Sequence, residues 1–214
     1  MARFTALLMA GILAVTSTVC SAQKVDFGVL AGLVFSHPTD YNTRTGFSVG
    51  AKGIYTFREN GSSWFVEAQA KLASKGWKYD IATYDEGGNL VYYSDWTCNA
   101  YYLEIPVYAG YKFKVNDNCG IFIEAGPYLA AGLFGNSGMK DGENKYEYEY
   151  YSNVFADGFY KRFDWGLGGN VGVEYRHLQV SVGLHHSLMN PLKGTLLMPT
   201  PKDRSFMLSV AYII

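Results

Sequence analysis

His185 and Ser187 are the residues best placed for chemistry, two positions apart in Gly183-Leu184-His185-His186-Ser187-Leu188-Met189-Asn190. A serine hydroxyl within reach of an imidazole makes a nucleophile and its base, the pairing on which acyl hydrolysis runs. The alternation set by Val180, Val182 and Leu184, however, turns both side chains to the opposite face of a strand, where they serve simply as polar residues. Metal chemistry has thinner support, because His37, His177, His185 and His186 lack the spacing of a closed zinc site. Two acidic stretches, Asp80, Asp85, Glu86 and Asp95, then Asp141, Glu143, Glu147 and Glu149, offer oxygen ligands for weak Ca²⁺ binding. Neither follows a defined calcium loop, and a solvated acidic surface accounts for both. The glycines alternate along strands instead of opening a helix, so there is no phosphate-binding loop. No metal and no cofactor is expected.

A different recognition chemistry stands in Lys145-Tyr146-Glu147-Tyr148-Glu149-Tyr150-Tyr151. Alternation puts Tyr146, Tyr148 and Tyr150 on one side of an extended ribbon, and Tyr151 follows them. Such a strip suits stacking on a glycan or packing on an extracellular protein, and an exposed edge could take up a partner strand. The same tyrosines could equally pack on a neighbouring hairpin, for which Tyr79, Ile81, Thr83, the turn Asp85-Glu86-Gly87-Gly88-Asn89, then Leu90, Tyr92 and Tyr93 are available.

The elements that position these residues are strands. The 214 residues suit one domain, and 24 Gly with 16% aromatics, 18 of them Tyr, favour sheets over helical bundles. Alternation is clearest from Phe163 to Arg176 and again from Arg204 to Ile214. The same reading gives eight strands near 25–37, 45–58, 63–77, 96–114, 119–134, 162–176, 178–188 and 204–214. Long connections at 38–44, 78–95, 135–161 and 189–203 alternate with short turns at 59–62, 115–118 and around His177. Short turns at one end and long loops at the other are the pattern of an outer-membrane barrel.

One face of these strands collects charge: Asp26, Lys52, Arg58, Glu67, Lys71, Glu104, Lys112, Glu124, Asp164, Glu174 and Arg176. Six acids against five bases can neutralise one another as the filling of a narrow lumen, where an unpaired charge is costly. The other face is nearly uncharged and carries aromatics near both strand ends. Phe35, Phe47, Trp77, Trp96, Trp165 and Phe206 lie on the loop side, and Phe27, Tyr55, Phe57, Trp64, Phe113, Tyr175 and Tyr212 on the turn side. The fold expected is all-β: an eight-stranded antiparallel transmembrane up-and-down β-barrel with long extracellular loops and both termini in the periplasm. A soluble lipocalin-like binding barrel reverses the faces, and a narrow pore requires an unfilled lumen.

Residues 1–22 have the form of a secretory signal peptide: Arg3, an apolar run from Ala6 to Val19, then Cys20, Ser21 and Ala22. The barrel domain is thus expected over 23–214, inserted from the periplasm by the barrel-assembly machinery into outer-membrane lipid. Cys98 and Cys119 fall at opposite ends of one hairpin and are expected to stay unlinked. A formal net charge of -1 provides no basic field for nucleic acid.

Several short motifs, taken in order, resemble the PorT-like outer-membrane β-barrel family. They are Tyr102-Leu103-Glu104-Ile105-Pro106-Val107 with Tyr111-Lys112-Phe113, then Glu124-Ala125-Gly126-Pro127-Tyr128, then Phe163-Asp164-Trp165-Gly166-Leu167-Gly168-Gly169, and an alternating final strand. The resemblance implies an outer-membrane barrel whose relatives mostly lack an assigned activity. It departs at Ile214, where barrel assembly signals usually carry an aromatic. His185 and Ser187 also resemble the His-x-Ser of outer-membrane lipid A deacylases, which makes a lipid A-modifying acyl hydrolase the enzymatic alternative. The leading expectation is non-enzymatic: a plugged barrel with a structural, adhesive or surface-interaction role carried by its loops.

Overall fold

The computed structural model describes residues 24–38, 41–58, 61–141, 147–156, 160–189 and 203–214. In chain order the strands are β1 (Lys24–Ser36), β2 (Arg44–Thr56), β3 (Ser63–Tyr84), β4 (Leu90–Asn116) and β5 (Cys119–Asp141). They continue with β6 (Glu147–Tyr151), β7 (Phe163–Tyr175), β8 (Leu178–Ser187) and β9 (Arg204–Ile213). All strands except β6 form a closed antiparallel ring of eight: β5 pairs with β4 and β7, and β9 returns to β1. Within the ring, closure leaves no free strand edge, which is how a sheet satisfies its backbone in hydrocarbon.

Exposure decides which face is which. Leu167, Val171, Val173, Leu208 and Val210 face outward, whereas Lys52, Glu67, Lys71, Glu104, Glu124 and Asp164 are buried inside. A soluble lipocalin-like barrel requires the opposite assignment. Room for long polar side chains comes from glycines on the inner face. At Gly168 an added Cβ would lie 2.5 Å from the His185 ring, and at Gly126 it would lie 2.1 Å from the Val107 carbonyl oxygen.

Three strands run further than their alternation suggested. β3, β4 and β5 have 22, 27 and 23 residues, against 10 to 13 for the other ring strands. Much of 78–95 and 135–161, expected as loops, is therefore sheet. β3 and β4 stay paired from Trp77↔Cys98 up to Tyr84↔Leu90. Their turn is closed by Asp85 Oδ1, which accepts from the backbone N–H groups of Gly87 and Asn89 at 2.9 and 2.8 Å, with Gly88 at φ 80°. The two cysteines are free: Cys98 pairs opposite Ser137 near the long-loop end, and Cys119 opposite Asn116 at the short turn.

Four residues depart from expectation: Trp77 and Trp96 turn inward, and Arg58 and Arg176 lie outside the lumen, Arg58 because β2 ends at Thr56 and leaves it exposed in the turn. Trp77 does not join the outer girdle; it shares its parity with Glu67 and Lys71 and is fully buried, with Trp96 at 5.3 Å donating its Nε1–H to Ser137 Oγ at 2.6 Å. Arg176 lies outside the lumen network. It occupies the β7–β8 turn at φ 56°, exposed, with its guanidinium 5.5 Å from the Tyr175 ring, because two residues of turn leave no strand to aim it inward.

The inside-out arrangement predicts that Val182→Arg, on the outer face midway along β8, lowers stability by about 2–4 kcal/mol, while Tyr212→Arg near the strand end costs about 0–1 kcal/mol. Urea unfolding in lipid vesicles measures both; equal costs would contradict a bilayer midplane at the middle of β8.

Candidate functional site

The lumen is built from facing strands in two tiers. Toward the short-turn end, Lys112 Nζ meets both Glu174 oxygens at 2.8 Å, and Gln179 Nε2 donates to Glu174 at 2.6 Å. Lys52 Nζ then donates to Gln179 Oε1 at 2.5 Å and to Glu67 Oε2 at 3.0 Å. Gln69 satisfies the other Glu67 oxygen, and Asn170 donates to Glu124, each at 2.6 Å. Amide side chains thus act as neutral spacers, letting one lysine and two carboxylates share a narrow section without like charges touching.

The second tier centres on Glu104, which is completely buried. Its carboxylate is ion-paired with Lys71 at 3.2 Å and Lys75 at 2.9 Å, and His185 Nδ1 stands 2.9 Å away. His185 Nε2 lies 2.5 Å from the Tyr108 hydroxyl, and the His185 ring stacks on Tyr128 with centroids 4.7 Å apart. Lys75 Nζ also sits 4.8 Å over the Tyr128 ring, 3.8 Å from Asp164 and 4.0 Å from Asp203. Ser187 Oγ donates to Asp164 Oδ1 at 2.5 Å.

Eight of the anticipated network residues therefore meet in the lumen: Lys52, Glu67, Lys71, Glu104, Lys112, Glu124, Asp164 and Glu174. Lys75, Gln69, Gln179, Asn170, Tyr108 and Asp203 were not anticipated. Lys75 could have been found by carrying the parity of Lys71 two rungs further; nothing periodic marks Asp203, which precedes β9. His185 and Ser187 do point inward, but they act separately, one on Glu104 and Tyr108 and the other on Asp164. Both are buried, so neither hydroxyl nor imidazole reaches an external acyl chain.

Apolar clusters close the lumen at each end. At the short-turn end Ile54, Phe65, Phe122 and Ile213 pack together. At the long-loop end Trp77, Tyr102, Tyr128 and Ala130 receive Val154, Phe155 and Tyr160 from the segment after β6, anchored by Val154 N–H to the Gly135 carbonyl at 3.1 Å. Phe155 fills the space that glycine leaves at position 132. Between the clusters lie cavities of about 20 Å³, one beside Lys75 and Asp203 and one beside Lys71 and Glu124, each fit for a single water.

Beyond the ring, β3, β4, β5 and β6 continue as a projecting sheet. Tyr79, Tyr84 and Tyr93 are exposed on it. Asp80 and Asp95 are cross-strand partners. Asn42 donates to Asp80 and Tyr93 to Asp95, at 2.8 and 2.7 Å. A hydrogen bond donated to Asp95 holds the Asp80 carboxyl above its ordinary range, while accepting from Tyr93 and Asp80 holds Asp95 below, with Lys78 and Lys140 nearby. Tyr148 and Tyr151 belong to β6, opposite Met139 and Ser137, and Tyr150 lies between them; Tyr146 and Glu143 fall outside the described residues. Among the described residues no group of three or more histidine, cysteine or acidic side chains could hold a metal ion.

A closed ring of eight strands, apolar outside and ion-paired inside, defines a small transmembrane barrel with a filled lumen. The chain matches the family described as outer membrane protein beta-barrel domain over residues 21–193, and it belongs to that family of the bacterial outer membrane. Among solved structures it is similar to Ail, the attachment invasion locus protein of Yersinia pestis, at 12% identity, covering 90% of this chain and 99% of that one with a TM-score of 0.38. It is also similar to the outer membrane enzyme PagL (14% identity, 87% and 99% covered, TM-score 0.48) and to Neisserial surface protein A (12%, 89% and 97%, 0.39). No curated protein matches the chain in sequence.

Three outcomes are expected. Glu104→Ala strands two buried lysines and should cost about 3–5 kcal/mol in vesicle unfolding, whereas Glu174→Ala, in a pair about one-fifth exposed, should cost about 1 kcal/mol or less. In planar bilayers the protein should give no steady open-channel steps; such steps would contradict the filled lumen. The third concerns pH. Because Asp80 titrates higher in the folded ribbon, its contribution is present below the unfolded value and lost as pH rises through the folded one. Asp95 contributes in the opposite sense, its share lost as pH falls through its lowered value. Asp80→Asn removes the facing charge, so hydrogen exchange at neutral pH should show a better protected ribbon with a flatter pH dependence than the wild type.

Proposed function

We propose that this chain is a non-enzymatic outer-membrane anchor that holds the β3–β6 sheet above the cell surface for contact with an extracellular protein or glycan. The observation carrying this reading is length. A tilted strand crosses a bilayer in about 9–11 residues, yet β3, β4 and β5 have 22, 27 and 23, and their excess all lies at the long-loop end. A structural staple would gain nothing from the continued pairing of β3 and β4 from Trp77↔Cys98 up to Tyr84↔Leu90. The projection offers two edges, since β2 pairs with β3 only as far as Ser48↔Ala73 before a single Asn42↔Lys78 bridge, and β6 borders the other side. Exposed edges and exposed tyrosines suit strand addition and aromatic stacking. Tyr146, Tyr148, Tyr150 and Tyr151 are the proposed contact residues of the β6 side.

In this reading residues 1–22 are removed on export, the barrel-assembly machinery inserts 23–214, and the short turns and both termini face the periplasm. Membership of the PorT-like branch is the finer family assignment we favour, on the ordered motifs around Glu104, Glu124 and Asp164. Cysteine labelling in intact cells, in a Cys119→Ser background, tests the topology. A membrane-impermeant maleimide should label Glu86→Cys at the ribbon tip and leave Asp117→Cys at a short turn unlabelled; the reverse pattern would overturn the orientation. Photo-cross-linkers at Tyr84 and Tyr93 should then capture a surface component, and a ribbon that yields no adduct in its native envelope would count against the interaction role.

A further inference from the structure

The outer face of the barrel is not uniformly convex. Near the short-turn end a groove of about 710 Å³ opens between Phe57, Arg58, Ser62, Trp64 and Tyr111, with Val66 at its back. It continues past Ala109 into a second depression of about 580 Å³ that reaches Phe113, Ile123 and Ala125. The cause lies in the register. Trp64 and Tyr111 are cross-strand partners with rings 5.1 Å apart, and Tyr111 continues to Phe113 at 4.8 Å, forming a tall aromatic wall. One rung further into the bilayer, Val66↔Ala109, Ala109↔Ala125 and Ala125↔Gly169 rise no higher than a methyl group beyond Val66.

The groove is polar at one end only. Arg58 is exposed at its rim, at the level of the interfacial aromatics, and Ser62 lies beside it; inward from there the outward-facing lining is hydrocarbon and aromatic. The described outward-facing residues of the groove include no carboxylate. A twofold contact with a second copy would bring two arginines into one apolar interface without counter-charge, which is costly. An amphiphile with an anionic head meets the same surface with matched polarity along its whole length.

We infer that this groove is a binding site for an anionic phospholipid, its phosphate at Arg58 and one acyl chain laid along Ala109 and Ala125 beneath the Trp64–Tyr111 wall. The assignment to phospholipid rests on the reading above that the short turns face the periplasm. Such a site would fix the barrel's depth at its turn end, where its strands do not project.

Native mass spectrometry of the full barrel tests this, after reconstitution in vesicles of phosphatidylethanolamine and phosphatidylglycerol and extraction into detergent. The wild type should retain one phospholipid, with phosphatidylglycerol enriched several-fold over its share in the vesicle. Ala109→Phe fills the groove from the lipid side and should lower retention several-fold, with ring closure checked by heat-modifiable gel mobility. Arg58→Gln should abolish the enrichment. Unchanged retention in Ala109→Phe, unchanged enrichment in Arg58→Gln, or a wild-type dimer that Ala109→Phe dissociates would each overturn the site. These vesicles carry phospholipid in both leaflets, so a failed orientation would register in the maleimide labelling and leave this measurement unaffected.

Discussion

A carboxylate enclosed in a barrel that crosses a bilayer has to be neutralised by its own protein, and Glu104 is where this requirement is met most tightly. Lys71, Lys75 and His185 surround it within 3.2 Å, and no part of it reaches solvent. The attraction of each pair repays the removal of both ions from water only when the geometry is close and the remaining donors are occupied. Tyr108 takes the far nitrogen of His185, and Asp164, with Tyr128, faces the far side of Lys75. Glycine at 168 is what lets the His185 ring lie flat enough for this to happen.

The apolar clusters above and below the network are part of the same device. Ile54, Phe65, Phe122 and Ile213 at one end, and the Phe155 and Tyr160 plug at the other, keep bulk water from the ion pairs and so strengthen them. A barrel filled in this way has a rigid wall and little room for transport, leaving the outer surface and the long-loop end as its means of acting on anything else. The extended strands follow from the same rigidity. Once β3, β4 and β5 leave the ring in register, their ladder continues without a break other than local bulges, and the sheet above the membrane inherits its orientation from the barrel beneath.

The two ends of the molecule accordingly differ in character. The long-loop end displays polar, tyrosine-bearing sheet with facing carboxylates at Asp80 and Asp95. The short-turn end is compact, ringed by Phe57, Trp64, Tyr111 and Phe113, and grooved where side chains shrink to alanine. Strand length separates them: three strands overrun the bilayer at one end, and none does at the other.

Period-two alternation was enough to place the ring strands and to gather Lys52, Glu67, Lys71, Glu104 and Glu124 on one face, because a strand side chain has only two faces to choose from; that this face turns inward rested on the aromatic girdles and on the alternation of long and short connections. The Asp85–Asn89 turn was legible for a similar reason, as turn chemistry is local. Trp77 and Trp96 were legible in the same way, since they share the parity of Lys71 and of Glu104; expecting them in the outer girdle followed their residue type against their alternation. Alternation could not show which charges meet. Lys75 with Asp164 and Asp203, His185 with Glu104, and Arg176 turned away from the lumen all depend on contacts between residues far apart in sequence or on a backbone turned to positive φ. Ala109 and Ala125 illustrate the limit: two small residues on separate strands mean nothing by themselves, and only the closed register sets them side by side under Trp64 to make a groove.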